Sequence, residues 1–151
     1  MQVDIIYTDM TKAFDIVDHE ILVCKLSRLG LCQSLLGLFR SFFSNRYQYV
    51  EYKGFCSFTF PVSSGVTQGS NLGPLLFNIY INDVKSCFSC PFLMYADDLK
   101  IINTINSQTD CLTLQENVNT FLVWCKNNKL SVNVKKCQSL TISRKNTAIN
   151  F

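Results

Sequence analysis

The sequence predicts an α+β fold in which helices pack on one face of an antiparallel sheet. Apolar runs typical of strands alternate with segments whose apolar residues recur at helical spacing. Two of the strand-like runs are separated by a tight turn, which favours an antiparallel hairpin. The length of 151 residues suits one packed domain, so we expect a single domain over residues 1–151.

The first third of the chain predicts one strand followed by two helices. Val3 to Tyr7 is apolar and rich in β-branched residues, which indicates a buried strand. Apolar residues recur at helical spacing in His19 to Leu29 and in Gln33 to Ser44, and the two segments are separated at Gly30. We therefore expect two helices after the first strand.

The middle of the chain predicts a hairpin, a loop and a helix. Aromatic residues cluster in Tyr47 to Tyr52 and in Phe55 to Phe60, on either side of a Lys-Gly pair that is typical of a turn. Small residues dominate Ser63 to Ser70, which predicts a loop. Pro74 to Val84 follows as a helix, because proline is well tolerated in a first helical turn.

The last third predicts four strands and one long helix. Phe92 to Ala96 and Leu99 to Ile102 are short apolar runs that flank two aspartates. Apolar residues recur at helical spacing from Asp110 to Asn127, which predicts a helix. Leu130 to Val134 and Ser139 to Ser143 are predicted strands, and residues 143–151 form a basic end.

The charge distribution is uneven although the net charge is only +3. Residues 1–116 contain 8 Lys and Arg and all 11 Asp and Glu, whereas residues 117–151 contain 6 Lys and Arg and no acid. A basic segment of this kind suits a polyanionic partner such as nucleic acid. Solvent-exposed lysines on an ordinary surface would give the same pattern.

Cysteine usage indicates reduced thiols, although one pair has the spacing of a metal site. Cys87 and Cys90 form a Cys-x-x-Cys pair, but the other six cysteines are scattered and the only histidine is His19. Reduced thiols are typical of intracellular proteins. No run approaches the roughly 20 apolar residues of a membrane span, and no basic leader is evident. We therefore expect an intracellular protein without a membrane partner.

Three aspartates are placed where chemistry is expected. Asp9 ends the first strand, and Asp97 and Asp98 lie at the hairpin tip. Two carboxylates about 5 Å apart repel by roughly 3 kcal/mol at an effective dielectric near 20. Carboxylate oxygens without His or Cys nearby favour Mg²⁺ or Mn²⁺, and two such ions serve nucleotidyl transfer. A turn that merely favours aspartate is the alternative for the pair taken alone.

Strand geometry ranks the two hairpin carboxylates. Successive residues of a strand point to opposite faces, so only one of the two can face Asp9 fully. We expect Asp97 to be the shared metal ligand and Asp98 a peripheral one.

Taken together, these residues resemble the reverse transcriptase palm of LINE-type, non-LTR retrotransposons of the jockey-like kind. The resemblance lies in four segments in the family's order: Tyr7 to His19 (motif A), Ser64 to Phe77 (motif B), Tyr95 to Asp98 (motif C) and Lys129 to Cys137 (motif D). It covers nearly the whole chain, which lacks most of the family's fingers and its thumb. The implied fold is a palm, an antiparallel sheet with helices on one face.

The resemblance implies an RNA-directed DNA polymerase that uses two Mg²⁺ or Mn²⁺ ions. Asp9, Asp97 and Asp98 would be the catalytic residues. The metal ligands would be Asp9, Asp97 and the main-chain carbonyl of Met10. The partners would be an RNA template with a DNA primer and deoxynucleoside triphosphates. The nucleus is expected for target-primed integration, and the cytoplasm is the alternative.

Other motif residues would contact the nucleotide or the template. Phe14 would exclude a 2′-hydroxyl from the sugar site, although a plain core role is the alternative for this ring. Gln68 would brace the template base, and Gly69 would let the backbone approach the new base pair. Tyr95 would pack beneath the primer end.

A motif D lysine would act as general acid on the leaving pyrophosphate. Lys136 is the first choice because it lies in the Asn-x-x-Lys pattern, and Lys129 is the second. Because the fingers and thumb are missing, we expect the isolated chain to polymerise poorly.

Two alternative functions are weighed against this one. The first is a catalytically inactive, retrotransposon-derived fragment that binds nucleic acid. The three aspartates argue against it, because unneutralised acids repel nucleic acid. The second is an RNA-templated RNA polymerase, which is disfavoured because Ala96 and Phe14 stand where glycine and a polar residue would be expected.

Overall fold

The computed structural model describes residues 2–144 and Ile149, so the predicted basic end at 143–151 lies largely outside the described residues. The chain forms two compact units. The first consists of Met1–Ala13 and Ile81–Phe151, and the second of Phe14–Tyr80. The predicted α+β class is confirmed, whereas one domain over 1–151 stays a prediction.

Within the described residues, the strands and helices follow one another in groups. They are β1 (Gln2–Thr8), α1 (His19–Arg28), α2 (Gln33–Phe43), β2 (Tyr47–Gln48), β3 (Glu51–Tyr52), β4 (Phe55–Cys56), β5 (Phe60–Pro61), α3 (Leu72–Ile81), β6 (Phe92–Tyr95), β7 (Asp98–Ile105), α4 (Gln108–Asn127) and β8 (Gln138–Ser143). Short 3-10 helices cover Asn82–Cys87 and Val134–Lys136.

The first unit contains a four-stranded antiparallel sheet with the order β6-β7-β1-β8. The first strand and the second strand of the aspartate hairpin are therefore central neighbours. Thr8 pairs with Leu99 in the β1–β7 ladder, and Tyr95 pairs with Asp98 in the β6–β7 ladder. This register brings the end of β1 to the hairpin tip.

One face of the sheet is covered by α4, which packs against β7. The β7 side chains Leu99, Ile101 and Ile105 are buried, as are Leu114 and Phe121 of α4. Alternate β7 residues point to this face because side chains on a strand alternate.

The start of α4 is fixed by Asp110. Its carboxylate accepts hydrogen bonds from the backbone amides of Asn106 and Ser107, each at 2.9 Å. These bonds lower the pKa of Asp110, since they favour its charged form.

The opposite face of the sheet carries exposed apolar side chains. Leu93 pairs with Lys100, and Tyr95 pairs with Asp98 two residues further along the ladder. Because side chains alternate between the two faces, all four lie on this open face. Leu140 and Ile142 of β8 are also exposed. The predicted palm arrangement, with helices on one face only, describes this unit.

The second unit is built on α1, α2 and α3. Helix α1 is capped by Asp18, whose carboxylate accepts a hydrogen bond from the Ile21 amide at 2.9 Å. Lys25 of α1 is buried, and its Nζ donates to the Tyr80 carbonyl of α3 at 2.5 Å. Leu22 and Phe77 are fully buried in the core of this unit.

The predicted aromatic hairpin forms, but as two short ladders. Strand β2 pairs with β5, and β3 pairs with β4. The ladder is interrupted where the Ser57 hydroxyl accepts a hydrogen bond from the Val50 amide at 2.9 Å. A side chain thus replaces a backbone partner at this point.

The predicted strand at Leu130 to Val134 is wrong. Only Val132 forms an isolated bridge, with Met10, and the chain then turns into the 3-10 helix. The Asn133 carbonyl accepts hydrogen bonds from the amides of Lys136 and Cys137, at 2.9 and 3.2 Å. Short-range turn bonds therefore replace the ladder that the apolar pattern suggested.

Among residues 2–144 and Ile149, no helix combines the length and the apolar character that a membrane span requires.

Candidate active site

The hairpin tip presents two aspartates in different backbone settings. Because Tyr95 pairs with Asp98, the turn consists of Ala96 and Asp97. Ala96 adopts φ +51°, a left-handed conformation that a two-residue hairpin turn requires. Asp97 is half-buried in this turn, whereas Asp98 is the exposed first residue of β7.

Asp9 follows β1 directly and lies beside this tip. Thr8 pairs with Leu99, so extending the register by one residue places Asp9 opposite Asp98. Asp97 belongs to the turn, and strand alternation therefore does not set the direction of its side chain. The ranking of Asp97 above Asp98 as the shared metal ligand stays a prediction.

The backbone around Asp9 is held by the segment after α4. The Asp9 carbonyl accepts a hydrogen bond from the Asn133 amide at 2.8 Å, and the Thr11 amide donates to the Ser131 carbonyl at 2.7 Å. Met10 bridges Val132 between these two bonds. Neither bond uses the Met10 carbonyl, the group predicted to bind metal.

Lys136 contacts the Asp9 carboxylate. Its Nζ lies 3.3 Å from Asp9 Oδ2 and 3.4 Å from Oδ1. The turn at Asn133 brings the lysine to this position, which gives the Asn-x-x-Lys pattern a structural meaning. Lys129 adopts φ +53° after the end of α4. Neither lysine is thereby shown to donate a proton, so the general-acid role stays a prediction.

The donor chemistry at this edge fits hard divalent cations. Carboxylate and carbonyl oxygens are the ligands that Mg²⁺ and Mn²⁺ prefer. Asp97 and Asp98 have no hydrogen-bond or ion-pair partner within the described part of the chain, whereas Lys136 offsets the charge of Asp9. In that same part, no group of three or more His, Cys, Asp or Glu side chains could hold a metal. The groups that could bind such a cation are therefore the carboxylates of Asp9 and Asp97 and the main-chain carbonyl of Met10.

Tyr95 lies on the open face of the sheet with Asp98. Its side chain is 85% exposed, so it contributes little to the core of this unit. Tyr95 is therefore not a core residue of this unit. Contact with a primer stays a prediction.

The second unit holds Phe14, Gln68 and Gly69. Phe14 is half-buried and stacks on Phe77, with ring centroids 4.1 Å apart. Gln68 is exposed, and its Nε2 donates to Asp15 Oδ1 at 2.7 Å. Gly69 adopts φ +77° in open space, so its conformation rather than its small size favours glycine.

The loop before Gln68 is anchored on the segment that follows Asp9 in sequence. The Gly65 amide donates to the Val17 carbonyl at 2.8 Å, and the Gly65 carbonyl lies 2.8 Å from His19 Nε2. A Cβ added at Gly65 would lie 2.7 Å from the Asp15 carbonyl oxygen. Motif A and motif B residues therefore form one hydrogen-bonded network in this unit.

Sequence reasoning did not assign roles to two residues of these networks. Asp15 holds the Gln68 amide, and Asn133 holds both the Asp9 backbone and the Lys136 turn. Asp15 lies inside motif A and Asn133 inside motif D, and this position is the sequence signal that points to them.

Three buried cysteines are poorly suited to covalent chemistry. None of the eight cysteines, all of which lie within residues 2–144, forms a disulfide. Burial raises the pKa of Cys90 and Cys111, and it raises the pKa of Cys125 to about 12. Thiols with raised pKa values are poor nucleophiles at neutral pH.

Residues 4–151 match the family model described as reverse transcriptase (RNA-dependent DNA polymerase). The RNA-directed DNA polymerase from mobile element jockey of Drosophila melanogaster is 30% identical over 148 residues, which are 92% of this chain and 16% of that protein. The probable RNA-directed DNA polymerase from transposon BS of the same species is 31% identical over 144 residues, 87% of this chain and 15% of that protein. The chain thus spans about one sixth of the length of these relatives.

Solved telomerase structures are similar in fold. Apo telomerase from Candida tropicalis, truncated from its C-terminal domain, superposes with a TM-score of 0.72 at 13% identity, over 97% of this chain and 32% of that one. Telomerase from the same species in complex with a TWJ fragment of telomeric RNA gives a TM-score of 0.70 at 16% identity, over 99% and 28%.

Proposed function

Because the chain belongs to the reverse transcriptase (RNA-dependent DNA polymerase) family, we propose that it carries the catalytic carboxylates for RNA-templated DNA synthesis by a mobile element. The family expected from motifs A to D is thereby confirmed. The observation that carries the proposal is the register that brings Asp9 beside the Asp97-Asp98 hairpin tip.

The reaction joins the primer 3′-oxygen to the α-phosphorus of a deoxynucleoside triphosphate and releases pyrophosphate. Asp9, Asp97 and the Met10 carbonyl would hold Mg²⁺ or Mn²⁺, two ions in all. The bound metal would supply a Lewis acid that favours the primer alkoxide and offsets charge on the reacting phosphate. Asp98 would add negative charge at the edge of the site.

Lys136 is proposed as the proton donor to pyrophosphate. Its Nζ lies 3.3 Å from Asp9 Oδ2, so a basic side chain is already present beside this proposed metal ligand. A positioned general acid contributes about 10²- to 10⁴-fold in rate. Lys129 remains the second choice.

The roles proposed for Phe14, Gln68 and Gly69 rest on the resemblance. Phe14 would select deoxyribose, and its stacking on Phe77 supports this by limiting the movement of the ring. Gln68 would contact the template base, with its amide oriented by Asp15. Tyr95 would contact the primer end, which its exposure permits.

RNA and deoxynucleotides are the proposed ligands, and the nucleus is the proposed compartment. A telomerase of similar fold has been solved in complex with a fragment of telomeric RNA, which supports an RNA partner for this fold. We propose that the isolated chain extends primers weakly, since it spans about one sixth of its relatives' length.

Primer extension tests the proposal. Purified chain is incubated with a primed RNA template, deoxynucleotides and Mn²⁺, and products are resolved at single-nucleotide length. We expect weak extension that Asp97→Asn abolishes, while Glu116→Gln, an exposed carboxylate on α4, leaves it unchanged. Robust extension by the isolated chain would contradict the proposed weakness but not the proposed chemistry.

Metal binding tests the site even where extension is too weak to measure. Calorimetry with Mn²⁺ should give a binding signal that Asp9→Asn/Asp97→Asn removes. RNA binding without any Mn²⁺ binding signal in the wild-type chain would favour the inactive nucleic-acid-binding fragment instead.

A further inference from the structure

The aromatic hairpin of the second unit, residues 46–61, leaves its aromatic side chains exposed to solvent. Six of the 16 residues in 46–61 are aromatic. All six are exposed, and they are Tyr47, Tyr49, Tyr52, Phe55, Phe58 and Phe60. Contiguous exposed apolar surface usually marks a binding site.

The tip of this hairpin is a defined platform. Tyr52 and Phe55 are directly paired across β3 and β4, so their rings share one face of the hairpin. They are 69% and 81% exposed. Lys53 and Gly54 join the strands with φ +48° and +81°, as in the tight turn that matches strand twist. Two neighbouring rings are thus presented together on a short, closed turn.

The charges on the tip are separated by face. Lys53 Nζ lies 5.4 Å from the centre of the Tyr52 ring, at the platform itself. Glu51, the only acid of residues 46–61, pairs with Cys56, and this pair points to the opposite face. The ring face therefore combines aromatic surface with positive charge and no carboxylate.

We propose that the platform formed by Tyr52, Lys53 and Phe55 binds an unpaired nucleic-acid strand by stacking bases on the two rings. Every base offers a π-face to an aromatic ring, and a basic side chain at the ring edge meets the phosphate backbone. The charge separation favours this polyanionic ligand over an acidic or neutral protein surface. The inference rests on the proposed RNA-copying function, yet it shares no residue with the carboxylate cluster.

Fluorescence anisotropy with a labelled 15-nucleotide single-stranded RNA tests the platform in EDTA, so that metal chemistry plays no part. We expect Tyr52→Ser/Phe55→Ser to weaken binding at least about tenfold. Tyr52→Phe/Phe55→Tyr should retain wild-type affinity, because it keeps both rings. Leu112→Ser, an exposed apolar side chain on α4, is the matched control and should not change it. Circular dichroism checks the fold of each variant.

A stacking readout separates this mode from simple charge attraction. An oligonucleotide carrying 2-aminopurine should lose fluorescence on binding wild type and keep it with the double serine variant. Single-stranded DNA of the same sequence should bind comparably, since stacking needs no 2′-hydroxyl.

Three outcomes would overturn the inference. They are unchanged RNA affinity in the double serine variant, an equal loss in Leu112→Ser, or a change in sedimentation that shows the rings hold a second protein copy instead. Asp9→Asn/Asp97→Asn should bind the RNA as wild type does. Retained binding there, with extension lost, distinguishes this platform from the proposed catalytic function.

Discussion

Asp9 is restrained through its backbone and its side chain at once. The Asn133 amide binds its carbonyl at 2.8 Å, while Lys136 contacts its carboxylate at 3.3 Å. Both restraints come from one short segment after α4. A metal ion arriving at Asp9 would therefore compete with an ammonium group that is already there.

Lys136→Gln should strengthen Mn²⁺ binding by up to about fivefold, because removing an exposed ion pair worth about 0–1 kcal/mol frees the Asp9 carboxylate. Calorimetric titration of the metal measures the effect. Lys135→Gln is the control, as it removes an equally exposed neighbouring charge from the same turn. Equal affinities in the two variants would show that the Lys136 contact does not compete with metal.

Gly65→Ala should destabilise the protein by about 1–3 kcal/mol, since its φ of +90° disfavours side chains and its Cβ would meet the Asp15 carbonyl at 2.7 Å. Gly30→Ala is matched in backbone conformation, with φ +89°, but nothing lies within 4 Å of its Cβ. Urea denaturation of both variants isolates the steric contribution. A Gly65→Ala cost no larger than that of Gly30→Ala would refute the close approach.

At the scale of elements, the spacing of apolar residues predicted the strands and helices that bury one face. Strand β1 and helices α1, α2 and α4 appear where apolar spacing placed them, because each buries one face. Leu130 to Val134 has the same apolar character but forms no strand, since the Asn133 carbonyl captures the next amides in a turn. Such competition between a ladder and a turn leaves no trace in hydrophobic periodicity.

Asp110→Asn should lower the melting temperature at neutral pH, because the Asp110 carboxylate accepts hydrogen bonds from the backbone amides of Asn106 and Ser107, just before α4. The pKa of Asp110 is lowered in the folded state, so its stabilisation is present above the ordinary aspartate pKa and is lost as pH falls through the lowered value. The difference from wild type should therefore shrink as the pH falls below the ordinary aspartate pKa of about 3.9. Thermal melts across this range measure it.

Glu116→Gln, on the exposed surface of the same helix, provides the comparison. It should show no comparable loss at neutral pH. If the Asp110→Asn difference stayed constant down to pH 2, the carboxylate would not be the stabilising group.

At the scale of the molecule, four motifs in order predicted the family, whereas the networks that connect motif residues were not predictable. The Asp15–Gln68 and Asn133–Asp9 contacts join residues 53 and 124 positions apart. Contacts at such separation depend on packing that a single sequence does not encode in its periodicity. The sequence therefore indicated the candidate catalytic residues better than the contacts that hold them in place.

Hydrogen exchange should rank the elements by how they are covered. Strands β1 and β7 have partners on both sides and should exchange slowest, while β8 is exposed and paired only with β1 within the described sheet. Residues 46–61 should exchange fast, since their ladders are two residues long. Mass spectrometry of peptic fragments measures this order. Protection of β8 equal to that of β1 would show that another chain covers its edge.

The β1–β7 register also determines which insertions the candidate active site tolerates. Adding one codon between Thr8 and Asp9 would preserve the reading frame and every motif residue, yet with Thr8 still paired to Leu99 it would turn Asp9 toward the other face of the sheet. Such an insertion would silence the site as completely as losing the carboxylate. In decaying copies of a mobile element, intact motif letters are therefore weaker evidence of activity than intact spacing between them.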